Sequence, residues 1–258
     1  MAATPLEKYR FGDIEETPLN ERIGKPEFRL KPDFDLTSLP PAKDLSEYDS
    51  PVQGKDPQED TGANSLSCMH ALEKYGNAHE ADWPYEVSKV SDKPPPEAYN
   101  RGSVNQALNA GYLQASLNSI RAAVASECAV YISFIAFEGF RGKDTTATGI
   151  ISIPSRDSPA ADFLGPHAMI VIGYDDDSRL FKCKNSWGSE RGQAGYYFLP
   201  FDYLDAEWRY NPNEDPLKLM HDECWTVDAI EYESDDVILH DRPGIRNLTP
   251  FEVSAVGA

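Results

Sequence analysis

Short apolar runs separated by turn residues dominate the second half of the sequence, from Cys128 onward. The runs are rich in β-branched and aromatic residues and are five to ten residues long, a pattern that predicts β-strands. Because turns separate these runs, we predict an antiparallel sheet for this half of the chain. The runs read CAVYISFIAF, HAMIVIGYD, RLFKCKNSW, AGYYFLPF and CWTVDAIEY.

A helical pattern precedes these runs, in the segment SLSCMHALEKYG. Ser65 or Ser67 is suited to cap the start of a helix, and Gly76 is suited to end it. Three apolar residues recur there at the spacing of one helix face, and these are Met69, Leu72 and Tyr75.

Two further helices are predicted between this segment and the first strand. Ser103 and Gly111 bracket a short one, and Ser116 is suited to begin a longer one. The segments 83–85 (Trp-Pro-Tyr) and 93–96 (Lys-Pro-Pro-Pro) predict a loop of extended backbone. The apolar face of the longer helix consists of Leu117, Ile120 and Val124.

Helices in the first half and a sheet in the second predict an α+β architecture with two unlike lobes. We assign residues 44–233 to one domain, with a helical lobe over about 60–127 and a sheet lobe over about 128–233. The first 60 residues are rich in Pro, Asp and Glu without a sustained period, so residues 1–43 are predicted to form an extended arm. Residues 234–258 are predicted to form an acidic, irregular tail.

The charge of the chain argues against nucleic acid as a partner. Its 43 acidic and 24 basic residues give a net charge of −19, and no run of Lys and Arg interrupts this excess. A surface this acidic repels phosphate. No apolar run has the length of a signal peptide or a membrane span, so we expect no membrane partner and a cytoplasmic location.

The cysteines predict neither disulfides nor a metal site. No pair has CxxC spacing, and a chain of 258 residues does not need covalent cross-links, so we expect four free thiols and no cofactor. The run Asp175–Asp177 lacks the other ligands of a calcium loop, and we expect a solvated hairpin turn there. The four cysteines are Cys68, Cys128, Cys183 and Cys224.

Acyl transfer by a thiol requires an ionised thiol, a base, and a group that orients the base. Cys68 falls in the first turn of the predicted helix, where unpaired N–H groups and the helix dipole favour a thiolate. His167 begins a predicted strand and is the candidate base, and Asn185 follows the next strand and is suited to hold the imidazole. Trp187 is suited to shield that hydrogen bond from water. Taken singly, each residue also fits a purely structural role.

In combination, these residues and their neighbours resemble the papain-like cysteine peptidases, the peptidase C1 family. The resemblance covers about residues 40–232 and rests on the order Cys, His, Asn and on SCMHAL, GPHAMIVIGYD and KNSWGSERGQAGYYFLP. The segment WPYEVSKVSDKPPPEAY is similar to a compact branch found in bacteria and some viruses. The resemblance implies a helical left lobe and a β-barrel-like right lobe flanking a cleft. It also implies that Cys68 is the nucleophile, His167 the general base and acid, and Asn185 the orienting residue.

The resemblance also implies a side-chain donor to the oxyanion, and this sequence lacks the family's usual residue at that position. The family usually carries a glutamine six residues before the nucleophile, where this chain has Gly62. Asn64 and Thr61 are the candidate side-chain donors in its place, beside the backbone N–H of Cys68.

Two functions from different classes follow. The first is an endopeptidase that cleaves a peptide or protein substrate through a thioester acyl-enzyme. The second is a catalytically impaired papain-like scaffold, motivated by the replaced glutamine and the terminal arms. In that case the arms would join the chain to an oligomer or a larger assembly, virion-associated if the source is viral. A third hypothesis is ligation or amide exchange catalysed by the same three residues.

Overall fold

The computed structural model describes residues 39, 42–44, 65–84, 86–89, 92–103, 105, 110–209, 213 and 215–227. The helices in these ranges are α1 (Ser65–Tyr75), α2 (Pro96–Gly102), α3 (Leu117–Ala125) and α4 (Lys143–Thr148). The strands are β1 (Ala42–Asp44), β2 (Ala110–Gln114), β3 (Val130–Phe137), β4 (Phe163–Asp175), β5 (Leu180–Lys184), β6 (Tyr196–Pro200), β7 (Glu207–Trp208), β8 (Leu217–Lys218) and β9 (Met220–Val227). Within these ranges, none of the helices combines the length and apolar composition that a membrane crossing requires.

One antiparallel sheet carries most of the described strands, in the order β2-β9-β3-β4-β5-β6. Strand β1 adds to the end of β4, and β7 pairs with β8 separately. The five apolar runs of the sequence form β3, β4, β5, β6 and β9, so the predicted antiparallel sheet and the α+β class are confirmed.

Strand β2 lies in the part of the chain that the sequence pattern assigned to helices. The helix predicted between Ser103 and Gly111 is wrong at its end, because Ala110 and Gly111 pair with Val227 and Thr226 of β9. Residues 106–109 lie outside the described residues. The error is a tertiary effect, since the pairing partner of β2 is more than a hundred residues away along the chain.

Helix α2 begins at the last proline of the proline run, which the sequence analysis interpreted as loop. Pro95 is extended, with φ −68° and ψ 159°, as predicted. Pro96 occupies the first turn of the helix, where its missing N–H costs nothing and its fixed φ suits the helix. The same residue type therefore ends the loop and starts the helix.

Helix α3 begins as predicted, with Ser116 as its cap. The Ser119 backbone N–H donates to the Ser116 hydroxyl at 3.2 Å, which satisfies one unpaired donor of the first turn. Ile120 and Val124 are fully buried in the main core of the sheet, which confirms the apolar face.

Helix α1 packs on the opposite side of the sheet through a smaller apolar cluster. Leu66 and Met69 are buried there with Trp225 of β9, and Leu72 packs against them. Gly76 ends the helix at φ 68° as predicted. Tyr75 is an exception to the predicted apolar face: it is 48% exposed and packs edge-on against Tyr99.

The Asp175–Asp177 segment is a hairpin turn between β4 and β5, as predicted. The Asp175 carboxylate accepts hydrogen bonds from the Ser178 hydroxyl and the Asp177 backbone N–H. The Ser178 bond, followed by the Asp177 bond, lowers the pKa of Asp175. These bonds are local turn contacts.

The predicted N-terminal arm enters the described residues only at its end. Residues 42–44 form β1, and the Lys43 ammonium pairs with the Glu127 carboxylate at 3.2 Å beyond α3. The arm before residue 39 and the predicted tail 234–258 lie outside the described residues.

Candidate active site

His167 lies near the start of β4, just after a bend in that strand. Gly165 has φ 112°, a conformation that residues with a Cβ rarely adopt. The register between β3 and β4 also shifts beside it, at Ala136 and Phe137. The bulge and the glycine together bend the strand and re-aim the side chain that follows. His167 is buried, at 6% exposure, opposite Phe134 of β3.

The imidazole is held by an amide from the neighbouring strand. His167 Nε2 and Asn185 Oδ1 are 2.9 Å apart in a buried hydrogen bond. The Ser186 backbone N–H also donates to Oδ1, at 2.8 Å. Because a backbone N–H only donates, the atom that it faces is the amide oxygen, and Nε2 is therefore protonated. Nδ1 of the neutral ring is then the basic nitrogen.

Asn185 follows β5 at a turn that is closed by backbone bonds. Its N–H donates to the Gly195 carbonyl at 3.2 Å, and Gly188, three residues later, has φ 83°. The side chain is 3% exposed, so its bond to His167 competes little with water. The sequence NSWG therefore forms the turn and also supplies the amide that holds the imidazole.

Aromatic rings enclose this His–Asn pair. The Trp187 ring centroid lies 5.0 Å from that of His167, and the Phe140 centroid lies 5.3 Å from it. Phe134 packs edge-on from the paired strand, at 5.8 Å. Trp187 is buried beside the imidazole, as the sequence predicted for a shielding residue.

Phe140 is a member of this enclosure that the sequence analysis missed. It lies in a short 3-10 helix, Glu138–Arg141, directly after β3, and contacts both His167 and Trp187. Its only sequence signal is an aromatic residue past the end of an apolar run, which many core residues share.

Cys68 is the fourth residue of α1, so the prediction that it lies in the first turn is confirmed. Ser65, one turn earlier on the same side, is buried and its hydroxyl donates to Tyr131 of β3 at 3.4 Å. Met69 packs into the cluster with Trp225. Cys68 therefore lies beside the contact between α1 and the sheet, and it is partly exposed.

Some of the other residues singled out in the sequence lie within the described part of the chain, and others lie outside it. All four cysteines are free, as expected. His70 is exposed on α1. Asn64 and Thr61, the candidate oxyanion donors, lie outside the described residues. His221 of β9 hydrogen-bonds Ser133 of β3.

We expect a thiol reagent to modify Cys68 far faster than the other cysteines in the native protein. Cys128, Cys183 and Cys224 are buried, and burial raises the pKa of the Cys183 thiol against the opposing effect of a backbone hydrogen bond from Leu199. Reaction at buried thiols requires opening of the fold, which slows it by about 10³-fold or more. Iodoacetamide treatment with peptide mapping, before and after denaturation, measures this. Native modification of Cys183 at the rate of Cys68 would contradict it.

Comparison with known proteins identifies the relatives of this arrangement. Residues 54–202, more than half of the chain, match the model of the family described as papain family cysteine protease. An uncharacterized peptidase C1-like protein of Acanthamoeba polyphaga mimivirus is 31% identical over 157 residues. That match covers 58% of this chain and 50% of the relative, so the chain matches only half of that protein's length.

Solved structures show the same fold. Xylellain, a cysteine protease from Xylella fastidiosa, superposes with a TM-score of 0.70 at 18% identity, over 91% of this chain and all of that one. A procathepsin B from Trypanosoma congolense gives a TM-score of 0.57 at 12% identity, over 87% of each chain. At these identities the likeness establishes the two-lobed papain-like fold.

Proposed function

Because the chain belongs to the papain family of cysteine proteases, we propose that it is an endopeptidase that uses Cys68, His167 and Asn185. Cys68 is the nucleophile in this proposal, and His167 is the general base and acid. Asn185 orients the imidazole. The substrate is a peptide or an unfolded segment of a protein.

The proposed reaction has two halves. His167 Nδ1 takes the Cys68 proton, and the thiolate sulfur bonds to the scissile carbonyl carbon. The imidazolium then protonates the leaving amine as the C–N bond breaks, which leaves a thioester on Cys68. In the second half, His167 removes a proton from water, the hydroxide attacks the thioester, and the sulfur leaves and is reprotonated.

One observation carries the proposal: the buried bond from His167 Nε2 to the Asn185 amide oxygen. It fixes the tautomer in which the other ring nitrogen accepts a proton. A bond between neutral groups contributes only about 0.5–1.5 kcal/mol when water competes, and the surrounding rings exclude that competition. The arrangement suits a base whose two nitrogens have different tasks.

The oxyanion that develops during attack needs donors of its own. We propose the Cys68 backbone N–H, in the first turn of α1, as one of them. Asn64 or Thr61, just before the helix, is the proposed second donor in place of the usual glutamine. The catalytically impaired scaffold is not favoured, since the His–Asn pair and its aromatic enclosure are both present.

The proposal is tested by cleavage of denatured casein and of a mixed peptide library, with the products identified by mass. We expect internal cleavage that stops when an epoxide-type thiol reagent has modified Cys68 stoichiometrically. The Cys68→Ala variant is the control for a contaminating protease. Wild-type protein that neither cleaves nor is labelled at Cys68 would overturn the proposal. Addition of an amine nucleophile separates hydrolysis from acyl transfer, because transfer would incorporate the amine.

A further inference from the structure

Two tyrosines of the helical lobe form an exposed aromatic pair outside the His167–Asn185 site. Tyr75 is the last residue of α1 and Tyr99 lies in α2, and their ring centroids are 6.0 Å apart in an edge-on contact. The two residues are 48% and 37% exposed. Single apolar residues are common on protein surfaces, whereas a contiguous exposed apolar patch marks an interaction site.

Two lysines bring positive charge to this pair. The Lys74 ammonium lies 4.9 Å from the centroid of the Tyr75 ring. The Lys93 ammonium lies 5.9 Å from the centroid of the Tyr99 ring. On each helix a glutamate lies two positions before the tyrosine, a spacing that places it on another side of the helix. These four side chains, which we call the aromatic–lysine patch, therefore suit a peptide that carries both apolar side chains and carboxylates.

The last strand of the sheet ends on the side of the molecule where this patch lies. Strand β9 ends at Val227, which pairs with Ala110, the first residue of β2. Because the two strands are antiparallel, β9 at this end points toward the side from which the chain enters β2. Asn105 lies five residues earlier, at the end of α1, where its side-chain amide donates to the Asn77 carbonyl at 3.2 Å. Five residues span at most about 18 Å, which limits the distance between the two ends.

An apolar cluster also joins the end of β9 to α1. Val227 and Leu72 both pack against the buried cluster between the helix and the strand. Leu72 lies one turn before Tyr75, on the same side of α1. An extended chain rises about 3.3 Å per residue, so about five to ten residues after Val227 suffice to reach the patch and cross it.

The residues that follow β9 have the composition that the patch favours. Residues 228–236 read DAIEYESDD, with five carboxylates and no basic residue, and they lie outside the described part of the chain. Ile230 and Tyr232 supply apolar side chains between the carboxylates. Residues 1–41, by contrast, contain eight acidic and six basic residues, so their charges largely cancel. The segment after β9 is therefore better matched to the patch than the N-terminal arm.

We propose that residues 228–236 bind across the aromatic–lysine patch and thereby fasten α1 to the end of β9. Ile230 and Tyr232 pack on the two rings, and the carboxylates beside them pair with Lys74 and Lys93. The segment is covalently attached to β9, so its binding is intramolecular, and an effective concentration in the millimolar range makes weak contacts sufficient. The inference does not depend on the proposed peptidase activity.

The test is hydrogen exchange of the full-length protein, followed by mass spectrometry of the peptides that contain residues 229–236. We expect these amides to exchange about tenfold more slowly in wild type than in a synthetic peptide of the same sequence. In Tyr75→Ala/Tyr99→Ala the protection is expected to fall to about twofold or less. Lys93→Glu is expected to lower it in part, and added salt has the same effect because it screens exposed ion pairs.

Leu217→Ala is the matched control, because Leu217 is a comparably exposed apolar residue, at 53%, in the separate β7–β8 pair. Its protection of residues 229–236 is expected to equal that of wild type. Protected amides in β3 and β4 show in the same experiment that each variant is folded. Exchange in wild type at the rate of the free peptide would overturn the inference, as would equal protection in wild type and both patch variants.

Two other occupants of the patch give distinct results. If the patch variants expose residues 1–41 and leave residues 229–236 unchanged, the patch binds the N-terminal arm. If the protection of residues 229–236 rises with protein concentration, the segment binds a second copy of the chain. Either result would replace the intramolecular contact proposed for residues 228–236 and would leave the proposed peptidase function unaffected.

Discussion

Alanine in place of His167 is expected to lower kcat/KM for peptide cleavage by about 10⁴-fold. The ring supplies both proton transfers of the proposed reaction, and its Nε2 bond to Asn185 reserves Nδ1 for them. The rings of Phe140 and Trp187 pack beside the imidazole, and neither ring can take up a proton at neutral pH in its place. The measurement is steady-state hydrolysis of one quenched peptide, with the folded fraction determined in parallel.

Two further variants test whether that loss reflects the proposed roles of Cys68, His167 and Asn185. The double variant Cys68→Ala/His167→Ala is expected to be no slower than either single variant, since the two residues act as a unit. Asn185→Ala keeps the base but leaves the buried imidazole N–H without its acceptor, at a cost of about 1–3 kcal/mol, so we expect a loss of about 5- to 150-fold. His70→Ala, an exposed change on α1, serves as the control. Additive losses in the double variant would refute the proposed roles.

Trp225→Ala is expected to lower the free energy of unfolding by about 3–5 kcal/mol. Trp225 is fully buried in the cluster that joins α1 to the sheet, with Leu66 and Met69 of the helix. Its ring also packs edge-on against Tyr112 of β2, at 6.1 Å. The total free energy of unfolding of a protein domain is about 5–15 kcal/mol, so this loss removes a large part of the stability. Urea unfolding at equilibrium measures the change.

Trp208→Ala provides the matched control for position. Trp208 is as buried as Trp225, but it packs against Phe137 and Phe163 in the main core, away from the α1 cluster. We expect a comparable loss of stability from both variants. We expect only Trp225→Ala to slow the alkylation of Cys68 per folded molecule as well. The reason is that this change removes the packing of α1 on β9. Equal alkylation rates in the two variants would show that this cluster does not position the cysteine.

The sequence predicts the parts of this fold that depend on local pattern. Strands β3 to β6 coincide with the runs rich in β-branched and aromatic residues, and the Ser116 cap of α3 requires only neighbouring residues. Motif spacing brings His167 and Asn185 to the ends of two paired strands, and the observed hydrogen bond agrees with that prediction. For Cys68, the helical turn is predicted by its own neighbours.

Long-range pairing determines the features that the sequence analysis missed. Strand β2 is a strand because it pairs with β9, whereas the sequence analysis ended a helix at Gly111, within this strand. Phe140 enters the enclosure of His167 only through the path of the chain after β3. The contact between Ser133 and His221 depends on an irregularity in the pairing of β3 with β9, where Ser133 lies opposite residues 221–223. No local spacing encodes these contacts.

The most direct test of the central claim is the alkylation rate of Cys68 at pH 6, compared between wild type and His167→Ala. At this pH an unassisted thiol is only about 0.3% ionised. If His167 serves the Cys68 thiol, iodoacetamide modifies wild type at least about tenfold faster than a folded His167→Ala variant. Equal rates in the two proteins would contradict the account, because they would show a sulfur that the imidazole does not reach.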